Sequence, residues 1–397
     1  MLREVFRAAV QPNRCCVPLW HCCGLFRAAA EATALDFTPP FCPNPDCSHH
    51  QRPEGRFFLR YGTFVAACHA APVPRFRCRA CRITFSTQTF RQDYRDRRPE
   101  VNRPVFELLA SGVGFRQIGR LHRISVSAVQ RKGHKIGRQQ HFLHENLCHR
   151  LPVGNVFVFD EEETFETASI RRVDLATAVE QESWFVVTTA VGSLRRLAKP
   201  GTARRRWQDR DEERHGKRPD ESSQCVQAAL ADVRRKVGDR RIVLRTDQKA
   251  SYQSIAREVF GEQVQHELTS GKAPRTPWNP LFPINSMQAI RRDLVGALRP
   301  QSWLHAKKAA KLPARLAIFA SLKNYQRKRF TRDKEDKSPA VHLNLIPRSL
   351  TTVELQRWRQ DFGLHSIHPL SSDGSRRVGE PAAAAPAAPG APAAVGA

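Results

Sequence analysis

VFVFDEEETFE, residues 156–166, opens on a β-branched and aromatic run (Val156, Phe157, Val158, Phe159) that delivers Asp160 to its end, followed at once by Glu161, Glu162 and Glu163. Such a run suits a strand. The chain holds 65 Lys and Arg against 38 Asp and Glu, so four consecutive carboxylates are out of keeping with their surroundings. Side by side they repel, and a bound cation is one way to relieve that repulsion. Taken alone, the segment reads more simply as a solvated turn after an edge strand. A second strand-like run, Arg241-Ile-Val-Leu-Arg245, shifts the balance because it ends in Thr246-Asp247. Two strands that each carry an Asp at the C-terminal end are the arrangement of a divalent-metal site for phosphoryl transfer.

Composition points to a polyanionic partner. A formal charge of +27 is far outside the range of an ordinary enzyme, and basic residues recur through every segment. Lys and Arg contacts to phosphates release counterions, so nucleic acid is the natural partner. The 397 residues allow two or three domains, and 41% hydrophobic content allows real cores. No apolar run approaches the roughly 18 residues of a membrane span, and the N-terminus lacks a signal-peptide pattern. A soluble, cytoplasmic protein with no membrane partner is expected. Eleven cysteines, several in tight pairs, suit metal binding in a reducing compartment better than disulfides.

Residues 1–38 read as a poorly ordered leader, because the vicinal pairs Cys15-Cys16 and Cys22-Cys23 cannot readily chelate one tetrahedral ion. Residues 39–92 read as a zinc ribbon. Cys42-Pro-Asn-Pro-Asp-Cys47 and Cys78-Arg-Ala-Cys81 are two knuckles, with short strands between them and almost no core, so Zn²⁺ would supply the missing stability. Cys68, His49 and His50 rank below these four as ligands. Arg75, Arg77, Arg79 and Arg82 around the second knuckle suit phosphates. Residues 100–148 read as a three-helix helix-turn-helix, with Gly112 and Gly114 ending the first helix and Ser125 capping the third. The third helix then presents Ser127, Gln130, Arg131 and Lys135 to a major groove. A plain three-helix bundle is the competing reading.

Residues 152–330 alternate strands and helices as an α/β sheet domain with a mixed sheet does. A charged insert at 193–222 is too polar for core and reads as a mobile loop or DNA-contacting flap. Asn285 opens a helical stretch carrying Arg291 and Arg292, and a later basic helix carries Lys307 at its start. These three cations are expected to touch DNA. Residues 331–397 read as a charged linker at Thr331–Asp336, room for one more helix between His342 and Gly363, and a disordered Ala/Pro-rich tail from Gly379.

In order, the motifs CPNPDC with RFRCRACRITFS, ASGVGFRQIGRLHRISVSAVQR, FDEEETFE, RTDQKASYQ and NSMQAIRRDLVGALRPQSW with LKNYQ resemble bacterial insertion-sequence transposases of the small-element type. The likeness covers residues 40 to 330 in round terms. It implies a multidomain α+β protein: zinc ribbon, helix-turn-helix and an RNase H-like catalytic domain of the DDE kind. It implies Asp160 and Asp247 as catalytic carboxylates holding Mg²⁺ or Mn²⁺. It also implies cleavage and strand transfer at the element's terminal inverted repeats, and a homodimer or larger synaptic assembly on double-stranded DNA, in the nucleoid when bound. Asn285 stands where the family's third position is usually Glu. An amide oxygen ligates Mg²⁺ without bringing charge, so affinity falls unless Glu161 or Asp293 compensates; Gln288 lies one turn further along. A non-catalytic, DNA-binding repressor descended from such an enzyme is the alternative.

Overall fold

The computed structural model describes residues 37–69, 71–299 and 302–371, and divides into two compact units, one ending at Thr89 and one beginning at Phe90. The leader cysteines and the Ala/Pro-rich tail lie outside the described residues.

The first unit is a three-stranded antiparallel sheet, β1 (Phe58–Phe64), β2 (Val73–Cys78) and β3 (Thr84–Ser86), in that order. A small aromatic cluster fills its inner side. Phe58 meets Phe76 edge-on with ring centroids 5.4 Å apart, and Phe76 lies 5.8 Å from Phe85. The core is therefore larger than the sequence suggests, though still small for an independent fold.

The second unit opens with three helices, α1 (Asn102–Leu109), α2 (Phe115–His122) and α3 (Val126–Leu147). Arg123 ends α2 in the left-handed region at φ 50°, and Ser125 caps α3, its Oγ accepting from the Ala128 N–H at 3.2 Å. Next come β4 (Val156–Phe165), β5 (Arg172–Glu180), β6 (Val186–Leu194), α4 (Ala203–His215), α5 (Ser222–Val237), β7 (Ile242–Thr246), α6 (Ala250–Phe260), β8 (Val264–Leu268), α7 (Phe282–Leu294), α8 (Leu312–Tyr325) and α9 (Thr352–Arg357). The five strands form one mixed sheet ordered β6-β5-β4-β7-β8. β5 runs antiparallel to both neighbours, while β4, β7 and β8 are parallel. The fold is thus α+β with a mixed five-stranded sheet. One face packs Phe157, Phe159 and Ala176 against α5 and α6, and the other packs Val158, Leu175 and Val186 against α7 and α8.

Several expectations need correction. The charged insert is not a loop. Thr202 caps α4, and Arg171 before β5 and Arg195 after β6 pair with Asp211 and Glu212 at 2.6 and 2.9 Å, so ion pairs to the sheet stand in for an apolar face. Helix α7 begins at Phe282, three residues before Asn285, because Pro283 fits a first helical turn. The helix expected between His342 and Gly363 is α9, and that stretch is packed rather than a free linker. Amides of α3 strap it down: Gln140 Nε2 donates to the Leu355 carbonyl at 2.8 Å and Asn146 Nδ2 to that of Gln360 at 3.0 Å. Among the described residues no helix is long and apolar enough to cross a membrane.

A buried polar knot joins α3, β6, α5 and α8. His144 Nε2 donates to the Val187 carbonyl at 2.9 Å, and its Nδ1 accepts from the Tyr325 hydroxyl at 3.0 Å. Lys236, fully buried, pairs with Glu145 and Asp232 at 2.9 and 2.7 Å. Both ring nitrogens of His144 are committed, so its closeness to Glu145 and Cys148 does not make a metal site. Burial, reinforced by the Lys236 charge, pushes the imidazole down to about 4. Its folded pKa lies below the unfolded value, so on acidification the unfolded chain takes up the proton first. Stability from this group therefore falls as pH drops from the ordinary histidine range toward 4. Relative to His144→Gln, the wild type should lose about 2 kcal/mol of unfolding free energy between pH 7.5 and pH 5. Urea titrations followed by tryptophan fluorescence check this; parallel pH profiles would contradict it.

Candidate metal centre and carboxylate site

Cys42 and Cys47 flank the loop before a single helical turn (Ser48–Gln51), Cys78 ends β2, and Cys81 lies in the turn before β3. Their four Sγ atoms all lie within 4.8 Å of one another, with Cys42–Cys81 at 3.6 Å and Cys47–Cys78 at 3.8 Å. Thiolates about 2.3 Å from a tetrahedral Zn²⁺ would sit about 3.8 Å apart, so the set fits zinc. The substitute ligands do not join it. His50 Nδ1 bonds the Cys42 carbonyl at 2.6 Å, His49 stacks on Phe57, and Cys68 stands apart from the cluster. On the outer face of this sheet the Arg75 and Arg77 guanidinium groups lie 5.6 and 5.5 Å from the centre of the exposed Tyr61 ring.

In the second unit, β4 and β7 pair in parallel with Val158 opposite Arg245. Two residues further on, Asp160 and Asp247 fall at neighbouring positions just beyond that pairing. Asp247 lies past the end of β7, but Asp160 lies midway along β4, which runs on to Phe165 beside β5 rather than ending at the aspartate as expected. Strand alternation then divides the acidic run. Asp160 and Glu162 point to the α7 face, and Glu161 and Glu163 to the α5 and α6 side. Each glutamate meets a cation. Glu162, almost fully buried, takes Arg291 Nε at 2.8 Å and Arg292 Nε at 2.6 Å. Glu163 pairs with Arg196 at 2.7 Å. Glu161 is held by Lys249, by Ser222 Oγ at 2.7 Å and by Tyr252 Oη at 2.6 Å. Burial works against its charge, yet the neighbouring Asp174 carboxyl and the hydrogen bonds from Lys249, Ser222 and Tyr252 outweigh burial and hold Glu161 down to about 2. Next to it, both carboxyl oxygens of Asp174 are buried without a well-formed hydrogen bond, and burial with the Glu161 carboxylate pushes that acid up to about 8.

Asp160 is different. The contacts to its carboxylate are the Gln288 amide, Nε2 donating at 2.8 Å, and the Glu161 backbone N–H at 2.9 Å. Burial raises its pKa to about 6, the Asp247 and Glu161 charges adding to that against the two hydrogen bonds. Asp247 is half-buried, and its carboxylate accepts from the Lys249 backbone N–H at 3.0 Å. Among the described residues, no cation contacts either aspartate. Two adjacent carboxylates without a protein counter-charge fit a divalent ion.

The residue that touches Asp160 from α7 is Gln288. Asn285 lies one turn earlier on the same helix face, half-buried. Neither proposed compensator is at hand, since Asp293 is exposed beside Arg299 and Glu161 faces the other side of the sheet. Arg291 is no DNA contact either. It is 1% exposed and reaches Thr177 Oγ1 at 2.9 Å as well as Glu162. Lys135 is half-buried, donating to Asp96 at 2.9 Å and the Tyr94 carbonyl at 2.7 Å, whereas Ser127, Gln130 and Arg131 are exposed. Arg292 and Lys307 are exposed, the latter donating to His305 Nε2 at 2.8 Å. The sequence reading grouped Arg291 with Arg292 on a face of α7 apart from Met287, but Arg291 is buried with Ile284, Met287 and Gln288, and periodicity could not show that a buried Glu would meet it.

Two outcomes follow from this geometry. Cys78→Ser should release zinc, read by metal analysis of the purified chain, and unfold the first unit; retained zinc would remove the four-cysteine assignment. Arg291→Leu leaves Glu162 with only the half-exposed Arg292, and should cost about 3–5 kcal/mol of stability in urea unfolding.

No known family model matches the chain, and no curated protein matches it. Among solved structures the chain is similar to one chain of the cryo-EM structure of the simian T-cell lymphotropic virus intasome in complex with PP2A regulatory subunit B56 gamma. That match has 11% sequence identity, covers 64% of this chain and 86% of the other, and has a TM-score of 0.26.

Proposed function

We propose that the protein is a metal-dependent DNA transposase of the DDE kind, built on an RNase H-like domain, that cleaves and joins strands at the ends of an insertion sequence. The observation that carries the reading is the pair Asp160 and Asp247, side by side on parallel strands and free of any cationic partner among the described residues, while every glutamate beside Asp160 has one. The sheet order supports the fold part: the first three strands form an antiparallel meander, and two more add in parallel beside the first.

Asp160 and Asp247 would hold Mg²⁺ or Mn²⁺, with the Asn285 or Gln288 amide oxygen as a further neutral ligand. When bound, the metal activates the attacking water or 3′-hydroxyl and stabilises the leaving oxygen. The chain's own part is positioning. Gln288 fixes the Asp160 carboxylate, and the Arg291–Glu162 pair locks α7 against β4. Strand alternation turns Glu161 to the other side of the sheet, where Lys249 pairs with it, so the site keeps its own anionic charge at two residues. Ser127, Gln130 and Arg131 on α3, with the arginines of the zinc ribbon, would read the terminal repeats. Two ends would be paired by a dimer or larger assembly.

One observation favours the second reading, a DNA-binding repressor derived from such an enzyme. The α7 face toward Asp160 offers amides where a third carboxylate is usual, so metal is held by less charge. Supercoiled plasmid carrying the DNA that flanks the coding region separates the two. With Mg²⁺ or Mn²⁺ the wild type should nick it, and Asp160→Ala and Asp247→Ala should abolish nicking while DNA binding stays unchanged. Binding without nicking by the wild type supports the repressor. Asn285→Glu should raise nicking at limiting Mg²⁺; an unchanged metal dependence would make α7 a positioning helix only.

A further inference from the structure

The loop joining β8 to α7 carries groups that the proposed chemistry leaves unused. Residues 269–281 read TSGKAPRTPWNPL, with two cations, Lys272 and Arg275, and no acidic residue. The loop is braced from within. Asn279 Nδ2 donates to the Pro274 carbonyl at 2.9 Å, its Oδ1 accepts from the Leu281 N–H at 2.8 Å, and its N–H donates to the Thr276 carbonyl at 3.0 Å. Pro274, Pro277 and Pro280 restrict the backbone further. On this stiffened loop Trp278 is 91% exposed. Holding a large indole almost wholly in water gives up its burial, and a braced loop that does so marks a contact surface.

Chain connectivity ties both ends of that loop to the elements that carry or hold the carboxylates. At one end the Thr269 N–H donates to the Thr246 carbonyl at 2.9 Å, one residue before Asp247. The other end runs into α7, whose Gln288 holds Asp160 at 2.8 Å. Trp303 is as open, at 92%, but its segment is tied to the far end of β4 through Thr167 N–H and the Ala306 carbonyl at 2.8 Å.

We propose that Trp278 is a stacking platform for an unpaired DNA base, with Lys272 and Arg275 holding the adjoining phosphates. Indole stacking accepts any base and needs it out of the duplex. A protein-binding anchor would sit among apolar neighbours, whereas Trp278 stands among prolines and cations. The strand brought to Asp160 and Asp247 is therefore one opened at its end, a consequence that rests on the DNA-processing reading of those carboxylates; the binding step does not.

The test uses the full zinc-loaded chain without added Mg²⁺, and fluorescence anisotropy with two labelled probes: a blunt duplex and the same duplex with several unpaired bases at one end. The wild type should prefer the frayed probe by on the order of ten-fold. Trp278→Ala should lose that preference with unchanged thermal stability, Trp278→Phe should keep most of it, and Trp303→Ala should keep all of it. Replacing Lys272 and Arg275 together by Ala should weaken both probes and lower the salt dependence by about two counterions. Equal binding of both probes by the wild type, or an undiminished preference in Trp278→Ala, overturns the proposal. So does a change of oligomeric state in Trp278→Ala, measured by light scattering without DNA, because it would make the indole a protein contact. Frayed-end preference in a chain that never nicks plasmid would sink the catalytic reading and leave this one standing.

Discussion

The two-residue period of β4 is the constraint from which the site follows. A helix would have wrapped Asp160, Glu161, Glu162 and Glu163 around one turn. A strand sends them alternately to opposite faces, where different helices wait with different partners. Three of the four then become structural. Glu161 ties β4 to the starts of α5 and α6, Glu162 ties it to α7, and Glu163 meets Arg196 just past β6. Repulsion within the acidic run is thus relieved mostly by arginine and lysine. Asp160 and its neighbour across the parallel pairing, Asp247, are the carboxylates left for something else.

Helix α7 turns that remainder into a defined geometry. Gln288 and Arg291 are three residues apart, about 4.5 Å along a helix axis. Asp160 and Glu162 are two apart, about 6.6 Å along a strand. The two spacings do not match, and the longer reach of arginine makes up the difference. Arg291 forks onto Glu162 at 2.8 and 2.5 Å while also reaching Thr177, so the pair is buried with its donors used. A buried pair of this kind adds little net stability over an apolar replacement, but losing either member strands a charge. Its contribution is register: it fixes which side chain of α7 can meet Asp160.

That register is what the sequence could not show. The apolar run before Asp160, the Asp after the 241–245 run and the glycine and serine signals around the first helices are local, and local chemistry decides them. The structure puts strands at 156–165 and 242–246 and a Ser125-capped helix where those signals lie. Cysteine spacing is local too, and four sulfurs converge as the two knuckles imply. Arg291 was misread because a basic residue on an amphipathic helix is usually solvated, and only tertiary contact reveals a buried glutamate opposite it. Nor could the sequence show the partner of Lys135: Asp96, which pairs with it, lies 39 positions away. In the 193–222 insert, ion pairs replace the hydrophobic period that marks a helix, so α4 carried no legible signal.

The helical segment and the sheet were expected as separate domains, yet they share one core. α3 runs past its exposed start and packs against α8 so closely that at Gly137 a side chain would collide with the backbone of Ala314. Arg315 of α8 lies 4.4 Å from the centre of the Phe115 ring at the start of α2. α8 in turn packs against the sheet face that carries α7. The exposed face of α3 with Ser127, Gln130 and Arg131 and the pair Asp160 and Asp247 are therefore connected by packed helices rather than by a linker. In the proposed reading, a duplex gripped by α3 would reach the carboxylates at a distance set by the core, and the step between binding and cutting is a fixed length of DNA.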